Sequence, residues 1–326
     1  MRLLSFLVAA GMAAGGQIEE LVDAARSTPP EFAADALIRL AESRLVEGRA
    51  RKRELLEEAF RLASAAQEPF KMRFSGERHF DSRAGFRGRA YALDLDALSL
   101  QCRAVSAMLR IQETRRARQL FESTVLPPAP DLRAPEQMAY DFALFEQTRE
   151  ALASRGFRPQ LVPALPPQDG GNVPQGQAPV RYWQSPDAAA LLARLQALQP
   201  PRESSAEWRA AFEAFLDATA EWSETKAEEP AGVFHQKCLL LGNALPTVSP
   251  GPQRFRVLQV YLDVLVQSPL QQESRIEWFL PVRELLARAD GDLLDRLRHA
   301  RHPVIALYAG LERALAPARI PPAAFR

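Results

Sequence analysis

Isoleucine, threonine and valine number 6, 7 and 16 in this chain of 326 residues, so only 29 positions are β-branched. A large sheet needs such residues to cover its pleated faces. Their scarcity leaves helices as the main way for the chain to satisfy its backbone, and an all-α fold is expected. The apolar fraction, 47 %, and the charged fraction, 25 %, are those of ordinary globular chains. There is enough material for two domains or one elongated helical array.

The spacing of apolar residues fits this. Phe32, Ala36, Leu37, Leu40 and Ala41 share one stripe of a helix expected over 32–46. Thr28, Pro29 and Glu31 before it have the pattern of a capping box with a first-turn proline. Gly48 ends that element. Leu55, Leu56, Ala59, Phe60 and Ala63 then form the stripe of a second helix over 53–66. Neither face can be buried by one hairpin alone, so further helices must pack on it. They are expected at 95–111, 114–125 and 135–154, with Asp81 capping a short one through Tyr91.

Between Gly156 and Pro186 the chain holds seven prolines and four glycines. Such a segment reads as an extended linker. The expected division is therefore 1–16, 17–155, the linker 156–186, and a C-terminal helical domain over 187–326. In the last, Ser204 and Glu207 form a capping box. Trp208, Phe212, Phe215 and Trp222 make an aromatic stripe that reads as core, and Pro281 interrupts a helical pattern.

Residues 1–16, MRLLSFLVAAGMAAGG, have a positive start, a short apolar run and small residues after it. This is the layout of a signal peptide, with cleavage expected after Gly16 and a periplasmic or secreted location. The run is shorter than the ~20 residues a bilayer core requires, so no stable membrane insertion is expected after cleavage. Cys102 and Cys238 both lie in apolar helical contexts. They read as buried thiols, with a single bridge as the alternative.

The hairpins are similar to tetratricopeptide-like repeats: Leu37, Leu40 and Ala41 suit a first helix, and Phe60, Ala63 and Pro69 a second. Ala117, Phe121 and Pro128 fall at similar spacing in the next hairpin. Arg44 replaces an expected aromatic, and the candidate second helices are 61 rather than 34 residues apart. The resemblance spans about residues 30–130 and implies an α-solenoid-like array in two lobes. The chain also looks like uncharacterised exported helical proteins of bacteria, a likeness that implies no activity.

Sequence motifs for chemistry are few. There is no GxGxxG, phosphate-loop, GxSxG, HExxH or CxxC pattern. His299 and His302 lie three apart at a helix end, without the further ligands a metal site needs. Glu42-Ser43 resembles the catalytic pair of lytic transglycosylases, but that family's downstream Gly-Leu-Met-Gln segment is missing. No cofactor is expected. Lys plus Arg is 41 against 40 Asp plus Glu. That balance argues against nucleic acid as a partner.

One local departure from this balance is Lys71–Tyr91. There Arg73, Arg78, Arg83, Arg87, Arg89 and Tyr91 form a candidate binding site for an acidic protein or peptide, through bidentate pairing and stacking. The bland reading is an irregular connection pinned to the core by Phe74 and Phe80. The functional expectation is an exported helical scaffold or binding protein without catalytic activity. The alternative is an all-α glycan hydrolase or lyase with dispersed carboxylates.

Overall fold

The computed structural model describes residues 16–73, 90–124, 126, 139–140, 142–156, 186–198, 205–221, 230–249, 251–267 and 276–316. It is helical, as the composition dictates. The helices are α1 (16–26), α2 (Pro30–Glu42), α3 (Arg49–Ala63), α4 (Ala97–Arg110), α5 (Thr114–Glu122) and α6 (Ala143–Ala153). They are followed by α7 (Pro186–Ala197), α8 (Ala206–Glu221), α9 (Pro230–Ala244), α10 (Pro252–Gln267) and α11 (Phe279–Ala287), and finally α12 (Gly291–Leu297) and α13 (Pro303–Leu315). The extended structure among the described residues is one two-residue antiparallel pairing, Met72 with Tyr140 and Arg73 with Ala139.

Contacts divide the chain into two compact units. The first comprises residues 1–76, 94–172 and 289–326; the second comprises 77–93 and 173–288. This differs from the division expected from composition. Among the described residues, α12 and α13 group with the N-terminal unit instead of completing a domain over 187–326. The Pro- and Gly-rich segment lies outside the described residues from 157 to 185.

In the first unit α2 is central, with α3, α4 and α13 packed on it. It is therefore buried nearly all round: Ala33, Ala34 and Ile38 are as inaccessible as the expected stripe of Phe32, Leu37 and Leu40. The stripe of α3 is buried as its spacing predicts, from Leu55 to Ala63. Gly310 lets α13 approach α1 closely, since a Cβ there would lie 3.0 Å from Leu21 Cδ2.

Several helix ends differ from expectation. Thr28 does not cap α2; its hydroxyl donates to the Ala25 carbonyl at 2.7 Å and closes α1. The Trp208 N–H bonds to Ser205 Oγ, 3.0 Å away, so Ser205 rather than Ser204 caps α8. Pro281 does not kink a helix, because α11 begins at Phe279 and the ring falls in the first turn. The expected helix through Ala84 and the linker lie largely outside the described residues.

The end of α4 carries local strain. The amides of Gln112 and Glu113 donate to Leu109 and Met108 carbonyls, while Gln112 has φ +63°. This is a Schellman closure made with glutamine where glycine is the unstrained choice. Gln112→Gly should therefore stabilise the protein by about 0.5–1 kcal/mol. Chemical denaturation would measure it, and a loss of stability would show that the glutamine side chain outweighs the backbone strain.

In the second unit α7 packs on α8, and α9 on α10 and α11. Trp208 and Phe212 stack with centroids 4.9 Å apart, and Phe215 is fully buried beside them. The aromatic stripe is core, as its spacing indicates; Trp222 lies outside the described residues. Tyr261 donates its hydroxyl to the Pro281 carbonyl at 3.1 Å.

Candidate functional site

The candidate site grows out of the central position of α2. Because that helix is enclosed, Asp35 is almost fully buried, 1 % exposed. A buried carboxylate must be paired and hydrogen-bonded. Arg103 of α4 donates to Asp35 Oδ1, and Tyr308 of α13 donates its hydroxyl to Oδ2 at 2.7 Å. Burial pushes the Asp35 pKa up, but the charges of Arg103 and Arg39 and these hydrogen bonds hold the carboxyl below its usual range. Burial and the neighbouring Asp35 charge together push the Tyr308 hydroxyl well above its ordinary value.

One turn further along α2, Arg39 lies over the Tyr308 ring, 5.8 Å from its centroid, and bonds to Glu312 at 2.6 Å. At this point α2 and α13 both end. Their C-termini border an open cleft of about 800 Å³, lined by Arg39, residues 42–45 and residues 314–316. Glu42 is ion-paired with Arg110 of α4. Both carboxylates here, Glu42 and Glu312, thus already hold an arginine. Ser43 Oγ donates to the Leu40 carbonyl and accepts from the Leu45 amide, which fixes the turn that carries Arg44. Arg44 is exposed and has no ion-pair partner among the described residues.

On the opposite side of the Asp35 network, Arg103 also donates to the Asp94 carbonyl at 3.2 Å, and Lys71 pairs with the Asp94 carboxylate. Asp94 has φ +58°. The neighbouring Asp96 caps α4 by accepting the Ser99 N–H at 3.0 Å. Its Oδ1 is buried without a hydrogen-bond partner among the described residues, and burial raises its pKa. Asp96→Ala should cost about 1 kcal/mol through the lost cap. Asp96→Ser keeps an acceptor and removes the buried charge, so at pH 7 it should stay within about 0.5 kcal/mol of the parent. Equal losses in the two variants, measured by urea denaturation, would contradict this account.

The other sequence candidates fall as follows. Arg78, Arg83, Arg87 and Arg89 lie outside the described residues. For Arg73 only the backbone is described, in its pairing with Ala139, and Tyr91 is half-buried. Cys102 and Cys238 are free and buried. Burial pushes the Cys102 thiol up to about 12, which suits packing and not nucleophilic work. Among the described residues no group of three or more His, Cys, Asp or Glu is placed to hold a metal ion. His302, at the start of α13, is pushed below the ordinary imidazole range by burial. The Asp35 network and the Arg44 cleft were not foreseen from the sequence. An acidic residue inside the apolar stretch FAADALIRLA was the one available signal.

Comparison with protein-family models, with curated proteins and with solved structures finds no match.

Proposed function

We propose that the chain is an exported helical binding protein, acting in the periplasm or outside the cell on an acidic protein or peptide and without catalytic activity of its own. The observation that carries this reading is the state of the charges at the cleft. Glu42 and Glu312 are each neutralised by an arginine, whereas Arg44 stands exposed and unengaged. That arrangement suits recognition of a carboxylate better than acid–base chemistry, which needs carboxyl groups free to exchange protons. Solenoid-like stacking belongs to the same proposal: the successive packing of α2 on α3, α3 on α4 and α4 on α5 supports it, while the packing of α13 on α2 departs from it.

Export rests on the layout of residues 1–16. The first buried side chain among the described residues is Ile18, so cleavage after Gly16 leaves the packed residues in place. No helix among the described residues is long and apolar enough to cross a membrane.

Native protein analysed by mass spectrometry should begin near Gln17, and a mass starting at Met1 would overturn export. Incubation of the mature protein with peptidoglycan or other polysaccharide should release no reducing ends above background; release would favour the glycan hydrolase. Partner capture by the mature protein should weaken with salt. If Arg73–Tyr91 contributes, changing Arg78, Arg83 and Arg87 together to Gln should weaken capture at unchanged melting temperature. A drop in melting temperature with capture intact would make that segment structural.

A further inference from the structure

Resting on that reading, we propose that the cleft between the ends of α2 and α13 binds the C-terminal end of a peptide, its free carboxylate on Arg44 and its terminal side chain on Leu45 and Leu315.

The charge pattern selects the ligand. Arg44 supplies an exposed guanidinium with its five donors uncommitted to any carboxylate among the described residues, a fork that matches one carboxylate bidentately. The rest of the cleft edge has its cations engaged: Arg39 with Glu312, Arg110 with Glu42, and Lys52 with the Ser43 carbonyl at 2.8 Å. Two helices end there; the Ser43 amide caps the Leu40 carbonyl and the Ala316 amide the Glu312 carbonyl, and the helix ends carry partial negative charge. Glu42 adds a further acceptor beside its bond to Arg110. A phosphate or sulfate would bring its charge and its lone pairs against those helix ends. A peptide end brings one carboxylate together with backbone N–H donors, which is the complementary set. Leu45, Ala314, Leu315 and Ala316 offer apolar surface for a side chain next to the carboxylate. A volume of about 800 Å³ lies within the range of ligand-binding clefts.

Arg39 does not compete for this role, because Glu312 and the Tyr308 ring already engage it. Arg44 lies beyond the end of α2 and is exposed, so replacing it tests recognition with little effect on the fold.

The test uses the full mature chain with N-acetyl-Ala-Ala-Leu, as the free acid and as the C-terminal amide. Calorimetry should find the acid bound at least ten-fold tighter than the amide. Amide resonances that move with the acid should belong to residues 39–45 and 314–316. Arg44→Gln should abolish the preference at unchanged melting temperature, and Arg44→Lys should keep part of it. Deleting residues 317–326 should leave the preference intact. Equal affinity for acid and amide, no binding of either at millimolar concentration, or an undiminished preference in Arg44→Gln would overturn the assignment. So would loss of the preference on deleting 317–326. If the tripeptides fail while a captured partner still binds, the cleft assignment alone falls; if neither binds, the binding-protein reading falls with it.

Discussion

Asp35→Ala is expected to destabilise the first unit by about 3–5 kcal/mol, the loss typical of breaking a buried ion pair from one side. The substitution strands the Arg103 guanidinium, whose side chain is 23 % exposed, and leaves the fully buried Tyr308 hydroxyl without its acceptor. Asp35→Asn retains one oxygen for Tyr308 or Arg103 and should lose less. A pH series separates the charge from the shape. The Asp35 carboxyl is held below its usual range in the folded protein, so its stabilisation is fully present above the unfolded value of about 4. It is then lost as pH falls through the folded value. Asp96 acts with the opposite sign, since its raised pKa removes stability as pH climbs from about 4 toward the folded value. The difference between parent and Asp35→Asn cancels that contribution and should shrink below pH 4. A loss under about 1 kcal/mol for Asp35→Ala would place the pair with ordinary surface ion pairs.

A larger effect is expected from ending the chain at Arg288. This removes α12 and α13, and with them the buried Val304, Ile305, Leu307, Tyr308 and Leu311. Each such side chain contributes about 1.5–3 kcal/mol on burial. Together they match the about 5–15 kcal/mol by which a whole domain is stable. The truncated protein also keeps Asp35 and Arg39 without Tyr308 and Glu312. The first unit should therefore fail to fold, with loss of helical circular dichroism and rapid proteolysis within residues 17–155. A truncated chain whose 17–155 portion stays resistant would restore the simpler division at the Pro- and Gly-rich segment.

The sequence made some of this legible and not the rest, for definable reasons. Helix existence followed from local spacing: the stripe of α3 and the seam of Trp208, Phe212 and Phe215 in α8 lie where periodicity places them. Helix ends were less readable. The hydroxyl of Thr28 serves the helix behind it instead of the one ahead, and Gln112 occupies a position where glycine would have announced the turn. The contacts of α2 were not readable at all. A stripe shows that one face is buried, whereas full enclosure of α2 depends on α13, whose Tyr308 meets Asp35 across 273 positions. Charge pairing was equally opaque, because arginines spread through the chain give no local hint that Arg103 serves Asp35 and Arg110 serves Glu42. The cleft inherits this difficulty, since its two walls come from opposite ends of the chain.

That separation sets a clock on biosynthesis. A ribosome adding ~5–20 residues per second delivers Tyr308 roughly a quarter to a full minute after Asp35. Through that interval α2 has made its neighbours in α3 and α4 available but lacks its last wall, and its aspartate has no phenol to hold. The second unit, whose two segments both precede residue 289, can complete itself meanwhile. A chain whose first unit closes only when α13 arrives stays incompletely folded through that interval, and its first unit should gain protease resistance only after α13 has been made.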